Sequence, residues 1–482
     1  MSETIKQEDQ APVEHPVSID QGIAVDATPT DTPPADVKAE EAGQGSKKRS
    51  NRGQTCRDRR EFATNKRRAR QQEDDEGEST PRVKSENSEP RKPKRRVALM
   101  LGFCGTEFQG MQVNPNARTI EGDLFTALCE AGAVSAENAT NQQKVQLQRA
   151  ARTDKGVHAA GQVVSLKMIV DDPDIVEKVN AQLPDQIRVW GYVRVVQSFN
   201  AKTMCDSRVY EYLLPTYVLM EPSESNMLLA QTVPFEERRM PETKAEDMKA
   251  KREFRVSPEK LQFVRDAFAK YKGTHDFRNF TVTRGCTETN SKRHMHWFEV
   301  SDPMIIDGSE WLSLKVKGQS FMLHQIRKMV GLVILMTRSG APLELMDALF
   351  GKGPRVNVPK APSLGLLLES PVFDGYNSRA DKQVQGVTNP VTFEPYQKTM
   401  DEFKQRFIYD AIIRTEMAES VFDGWVSSTE VFPEQYTYIN KEGVIPESAI
   451  VVPGSGRRFP FKSVAGDQAA ESSEDELDSK DN

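Results

Sequence analysis

Residues 149–158, "RAARTDKGVH", set one carboxylate, Asp154, among three cations, Arg149, Arg152 and Lys155. Such a grouping suits an acid that must stay ionised, as nucleophile or general base, while other anions gather around it. Thr-Asp-Lys-Gly is also ordinary turn composition, so a solvent-facing hairpin tip is the plain alternative. The surrounding elements decide between them.

Val97–Phe103 predicts a strand, followed by a loop bent at glycines 105 and 110. The glycines do not spell G-x-G-x-x-G, which argues against a dinucleotide site. Thr119 predicts the N-cap of a helix whose Ile120, Leu124 and Leu128 repeat at helical spacing, with Glu121 in its first turn. "KVQLQRAAR" (144–152) and "GQVVSLKMIV" (161–170) predict strands flanking the acidic turn; "DIVEKVNAQLP" predicts a helix and "IRVWGYVRVV" a strand. A second series follows the same grammar. "SRVYEYLLPT" is strand-like, "SPEKLQFVRDAFAKY" a helix capped by Ser257, "RHMHWFEVSDP" and "EWLSLKVKGQS" a strand pair, and "FMLHQIRKMVGLVILMTRSG" a mostly buried helix ending at Gly340. Farther on, Met400, Phe403, Phe407 and Ala411 mark the apolar face of a late amphipathic helix. The fold class expected is α+β: two similar α/β units with mainly antiparallel sheets around a central cleft, plus disordered tails.

The chain of 482 residues has room for two domains and tails. The expected divisions are a disordered arm over 1–92, an α/β unit over 93–206 carrying the Asp154 turn, and a second unit over 207–376 with a charged insertion at 218–256. A helical extension over 377–460 and an acidic tail over 461–482 complete it. The arm holds a single aromatic, Phe62, too little to build a core. Its basic clusters, Lys47–Arg70 and "KPKRR" (92–96), read as nuclear targeting or as an arm that clings to RNA. The longest apolar run, "MVGLVILM", is far short of the ~20 residues a bilayer needs. The polar, acidic start is not that of a secretory signal. Five scattered cysteines fit reduced thiols, and His294 with His296 makes a poor zinc site.

Five segments together resemble the TruA-type tRNA pseudouridine synthase family over most of residues 95–376. "ARTDKGVHA" resembles the family's catalytic loop, and "FNAKTMCDSRVYEYLLPT" its R-x-Y-x-Y segment. "YKGTHDFRNFT" resembles its G-T-H-x-F-x-N-F-T stretch, "GQSFMLHQIRKMVG" its arginine-bearing helix, and "APSLGLLLESPVFDGY" its closing strand. The "LPT" after the tyrosines and the basic arm resemble the eukaryotic nuclear multisite branch. The resemblance implies the pseudouridine synthase fold and an isomerase that moves uracil from an N1 to a C5 glycosidic bond. There is no redox change, so no cofactor and no metal are expected.

By the resemblance, Asp154 either attacks the sugar or removes a proton from it to give a glycal. Arg327 pairs with Asp154, and Tyr210 stacks on uracil, with Tyr212 as the competitor for that role. Arg152 enters the RNA and helps flip the nucleotide, while Lys155, His158 and His275 contact RNA or orient loops. Asp276 beside His275 looks like a dyad, and the family pattern gives it a structural role instead. Implied partners are tRNA, and for the multisite branch also snRNA and mRNA, with nuclear import machinery and no membrane; a monomer is expected. Two other readings stay open: a relative restricted to anticodon-loop uridines, and a non-catalytic RNA-binding protein on the same fold.

Overall fold

The computed structural model describes residues 92–451 except 115, 283–287, 352 and 381–388. The expected disordered arm, its basic cluster Lys47–Arg70 and the acidic tail therefore lie outside the described residues. Among the described residues ten strands form one sheet: β1 (Lys94–Phe103), β2 (Gln148–Arg149), β3 (His158–Ile169), β4 (Ile187–Arg194), β5 (Ser207–Pro215), β6 (Gly273–Asp276), β7 (Lys292–Val300), β8 (Met304–Ile306), β9 (Ser309–Gly318) and β10 (Leu366–Val372). The main path runs β4-β1-β3-β10-β5-β9-β7-β6, with β2 on β3 and β8 on β9. Among the described strand pairs only β10 with β3 is parallel. The late strand β10 thus joins β3, which leaves the Asp154 turn, to β5, which carries Tyr210.

Strands β1 and β3 are buried along most of their length because both faces are covered. On one face lie helices α1 (Ile120–Glu130) and α2 (Ile175–Gln182), which bury Leu124, Leu128, Ile175 and Val179 against Leu99, Leu101 and Val164. Thr119 caps α1 as expected, its Oγ1 accepting from the Gly122 N–H at 3.2 Å. Ser257 caps α3 (Pro258–Lys270) in the same way. Helix α4 (Gln325–Ser339) is buried through almost its full length and ends where Gly340 takes a left-handed φ of 70°.

Two local expectations need correction. Only Gln148–Arg149 of "KVQLQRAAR" forms strand; residues 142–145 make a 3₁₀ turn closed by Gln146 at φ 55°. The Gln146 carbonyl accepts from Arg96, which also donates to the Phe199 carbonyl and Ser165 Oγ. Arg96 is thereby 4% exposed inside β1, so the last residue of "KPKRR" is built into the sheet, while Lys92, Lys94 and Arg95 stay exposed. The late helix is interrupted by a π turn at Lys404–Tyr409, which shifts its buried face from Phe407 and Ala411 to Ile408 and Ile412.

The insertion, expected to hold few core groups, is latched to the extension by polar contacts. Its helices Glu224–Thr232 and Ala245–Glu253 bury little beyond Asn226 and Met248. Asn226 Nδ2 donates to Glu430 at 2.7 Å, Thr243 Oγ1 to Asp423 at 2.8 Å, and Lys251 pairs with Asp423. Nearby, Tyr217 donates to buried Glu416, whose carboxyl burial pushes up to about 7.

Candidate active site

The Asp154 turn is held by backbone. Val157 N–H donates to the Asp154 carbonyl at 3.1 Å, closing a four-residue turn whose third position, Gly156, has φ 74°. That sign of φ is the reason a glycine stands there. The bent loop after β1 supports the turn from below: Met111 N–H donates to the Thr153 carbonyl at 3.1 Å and Gly156 N–H to the Phe108 carbonyl at 3.3 Å. A Cβ at Gly105 would lie 2.2 Å from the Val157 carbonyl oxygen, so the two loops are packed backbone to backbone. Arg149, at the entry to the turn, pairs with the fully buried Glu121 of α1, whose other oxygen accepts from Val113 N–H at 3.2 Å. Arg149, the first of the three cations, is therefore an anchor for the Asp154 loop.

On this support Asp154 and Lys155 are half-buried and Arg152 is exposed. The Asp154 side chain is 29% accessible and its Oδ2 lies 3.8 Å from His324 Nε2. His324, at a left-handed φ of 60°, immediately precedes α4, and its carbonyl accepts from Lys328 N–H. Arg327, one turn on, is 3% exposed; its Nε donates to the Ala361 carbonyl at 2.7 Å. Tyr210 on β5 meets Phe321 edge-on at 5.2 Å. Burial is the main reason its phenol is held above the ordinary range; Arg208 opposes that shift and the Asp154 charge adds to it. Tyr212 is fully buried and donates to the Pro362 carbonyl at 2.7 Å, which makes it a strut beneath the Arg327 segment. The turn, the Phe321–Arg327 segment and Tyr210 thus come together.

The remaining candidates sit apart from that cluster or point inward. His158 is 1% exposed, its Nδ1 accepts from Gly105 N–H at 3.1 Å, and burial lowers its pKa to about 4. It is a neutral imidazole pinning the supporting loop. His275 stacks on Phe350 at 4.4 Å and bonds the Lys272 carbonyl, while Asp276 binds Arg278. Burial works against ionisation of Asp276, yet hydrogen bonds from Arg278 and Ser291 hold its carboxyl below the usual range. The neighbours do not form a dyad, because successive strand residues face opposite ways. His324 was missed by sequence reasoning, although its place three residues before Arg327 was a usable signal.

Lys328 was missed as well. It is 5% exposed, its Nζ donates to the Thr281 carbonyl at 3.3 Å, and burial, with help from Lys360 and Arg355, lowers its pKa to about 7. The unfolded chain keeps this proton to about 10.5, so between those values the unfolded state binds more protons and stability rises with pH. Lys328→Met is expected to be more stable than wild type at pH 6.5, by an amount that shrinks toward pH 10. Urea unfolding at both ends of that range checks it; parallel pH dependences for the two proteins would contradict the assignment.

Comparisons agree with this geometry. Residues 267–374 match the family described as tRNA pseudouridine synthase. The chain is 39% identical over 429 residues to tRNA pseudouridine synthase 1 of Candida albicans, covering 74% of this chain and 68% of the relative. It is 38% identical over 400 residues to tRNA pseudouridine synthase 1 of Saccharomyces cerevisiae, covering 71% and 73%. With the mouse Pseudouridylate synthase 1 homolog it shares 39% identity over 356 residues, covering 73% and 78%. A mainly antiparallel sheet, an aspartate turn braced by its own backbone and relatives matched over most of their length lead to one conclusion: the chain belongs to the tRNA pseudouridine synthase family.

Proposed function

We propose that this chain isomerises uridine to pseudouridine in tRNA, with Asp154 as the carboxylate that acts at the ribose. In this reaction the C1′–N1 bond breaks, the uracil turns within the site, and C1′ joins C5. The C5 hydrogen leaves and N1 ends protonated, so atoms and electrons balance without a co-reactant. Asp154 acts either by attack on C1′ or by proton removal toward a glycal. Arg327 pairs with it, Tyr210 offers a ring to the detached base, and Arg152 with Lys155 meets the RNA at the mouth of the turn. Exposed Arg152, two residues before Asp154, suits a side chain that enters the RNA and holds the base out of its stack. The inward His158 supports the loop in this reading and leaves RNA contact to its neighbours. The observation that carries it is a partly accessible carboxylate on a loop braced by backbone hydrogen bonds, with a tyrosine ring inside its electrostatic reach.

The wider reading is of a nuclear monomer that modifies several tRNA positions and also snRNA and mRNA. It is supported by the basic segment Lys47–Arg70 and by the "LPT" following the tyrosines. Mapping pseudouridine in total RNA from cells with and without the protein tests it; loss confined to anticodon-loop uridines would replace it with the narrower alternative. Deleting residues 1–92 is expected to move the protein out of the nucleus while the purified remainder stays folded. Microscopy of the tagged truncation and its thermal melt check both halves, and a truncation that remains nuclear would refute the targeting role.

A further inference from the structure

The extension places a charged group behind the strand that carries Tyr210. Lys404 Nζ donates to Glu211 Oε2 at 3.2 Å and to both oxygens of Glu369 at 3.0 and 3.1 Å. Glu211 is fully buried, and it also accepts from Ser313 and from Tyr409. The π turn explains how one helix supplies two of these donors. On an α-helix residues five apart diverge by about 140°, whereas i→i+5 hydrogen bonding brings them round to nearly the same side. Lys404 and Tyr409 are five apart and converge on Glu211.

The two carboxylates belong to the joint of the sheet. Glu211 follows Tyr210 on β5, and Glu369 occupies the bulge of β10 between Leu368 and Ser370. Leu368 stands opposite Tyr210 on one side and Ala159 of β3 on the other, so β10 sets the spacing between the tyrosine and the strand leaving the Asp154 turn. Burial alone would push both acids up. Against that burial Lys404 draws Glu211 below its ordinary range, while Glu369 stays above its own. With the lysine gone, the buried Glu211 and the half-buried Glu369 would face each other across this joint, with Lys315 left 4.0 Å from Glu369.

We propose that Lys404 is a positioning residue for the isomerisation: from the C-terminal extension it fixes β5 and β10, and through them the place of Tyr210 relative to Asp154. The inference rests on the reading of Asp154 and Tyr210 given above. A shift of about 1 Å in a reacting arrangement can cost a hundredfold, and the extension would then be part of the working enzyme through this contact.

The test uses the full chain with a uridine-containing tRNA. Lys404→Met is expected to lower kcat by about tenfold or more with KM for tRNA within about twofold, and Lys404→Arg to recover most of the loss. Tyr409→Phe, which removes only one hydroxyl from Glu211, is expected to lower kcat severalfold and decides the matter if Lys404→Met does not fold. Lys251→Met, which breaks the latch on Asp423 elsewhere in the extension, is expected to lower the melting temperature and leave kcat unchanged. Wild-type kcat in folded Lys404→Met, or an equal loss in Lys251→Met, would overturn the proposal. Activity in Asp154→Asn would sink the site reading instead, so the two failures are distinct.

Discussion

Asp154→Ala and Asp154→Asn are expected to bind tRNA nearly as wild type does and to form no pseudouridine. The turn is held by the Val157–Asp154, Met111–Thr153 and Gly156–Phe108 backbone bonds, none of which uses the carboxylate, so both variants should keep the loop. Affinity is dominated by phosphate contacts that the substitution leaves alone. Asparagine has the shape of aspartate but is neither a nucleophile nor a base under these conditions, so it should be as inactive as alanine. Loss of a group of this kind costs ~10³-fold or more in turnover. Filter binding and single-turnover assays on the same preparations separate the two effects. More than a few per cent of wild-type turnover in either variant contradicts the role of Asp154.

Arg327→Lys is expected to be severe despite keeping the charge. Arginine's planar fork is aimed by the bond from Nε to the Ala361 carbonyl, and the Ala361 N–H returns to the Arg327 carbonyl at 3.1 Å. Lysine has one nitrogen and cannot hold that carbonyl and a carboxylate together in one plane. Arg327 is 3% exposed while Asp154, its partner in the proposed pairing, is partly accessible, so the loss is expected to fall below the ~3–5 kcal/mol of a fully buried pair, with lysine recovering part of it. Turnover and stability should both fall. A carboxylate less well paired is easier to protonate, so the acid limb of the pH–rate profile should move to higher pH. An unmoved limb with wild-type turnover would remove Arg327 from the site.

Short-range physics made much of this molecule legible in its sequence. The Thr119 and Ser257 caps, the Gly340 terminus and the Asp154 turn depend on residues within four positions of one another, and each was readable from them. The apolar runs of β1, β3 and β5 were readable because both faces of those strands are covered. Long-range polar contacts were not. Lys404 and Glu211 lie 193 residues apart, and neither has a local pattern that marks it as buried. The π turn that brings Lys404 and Tyr409 to Glu211 has no local pattern that marks it, which is why Phe407 and Ala411 looked like the inward face. "KVQLQRAAR" alternates like a strand, yet distant Arg96 captures the Gln146 carbonyl and the chain coils instead. Within the proposed site, Asp154, Tyr210 and Arg327 were named through motif resemblance, while the inward turn of His158 depends on a bond to Gly105, 53 residues away.

The most direct measurement is release of tritium from C5 of uridine in a labelled tRNA transcript by the purified full-length protein. Forming the C1′–C5 bond must expel that hydrogen, whereas binding or base flipping alone leaves it in place. The account expects stoichiometric release for each uridine converted, with EDTA present and no added cofactor, and none from Asp154→Asn. A folded, tRNA-binding wild-type protein that releases no tritium would contradict it.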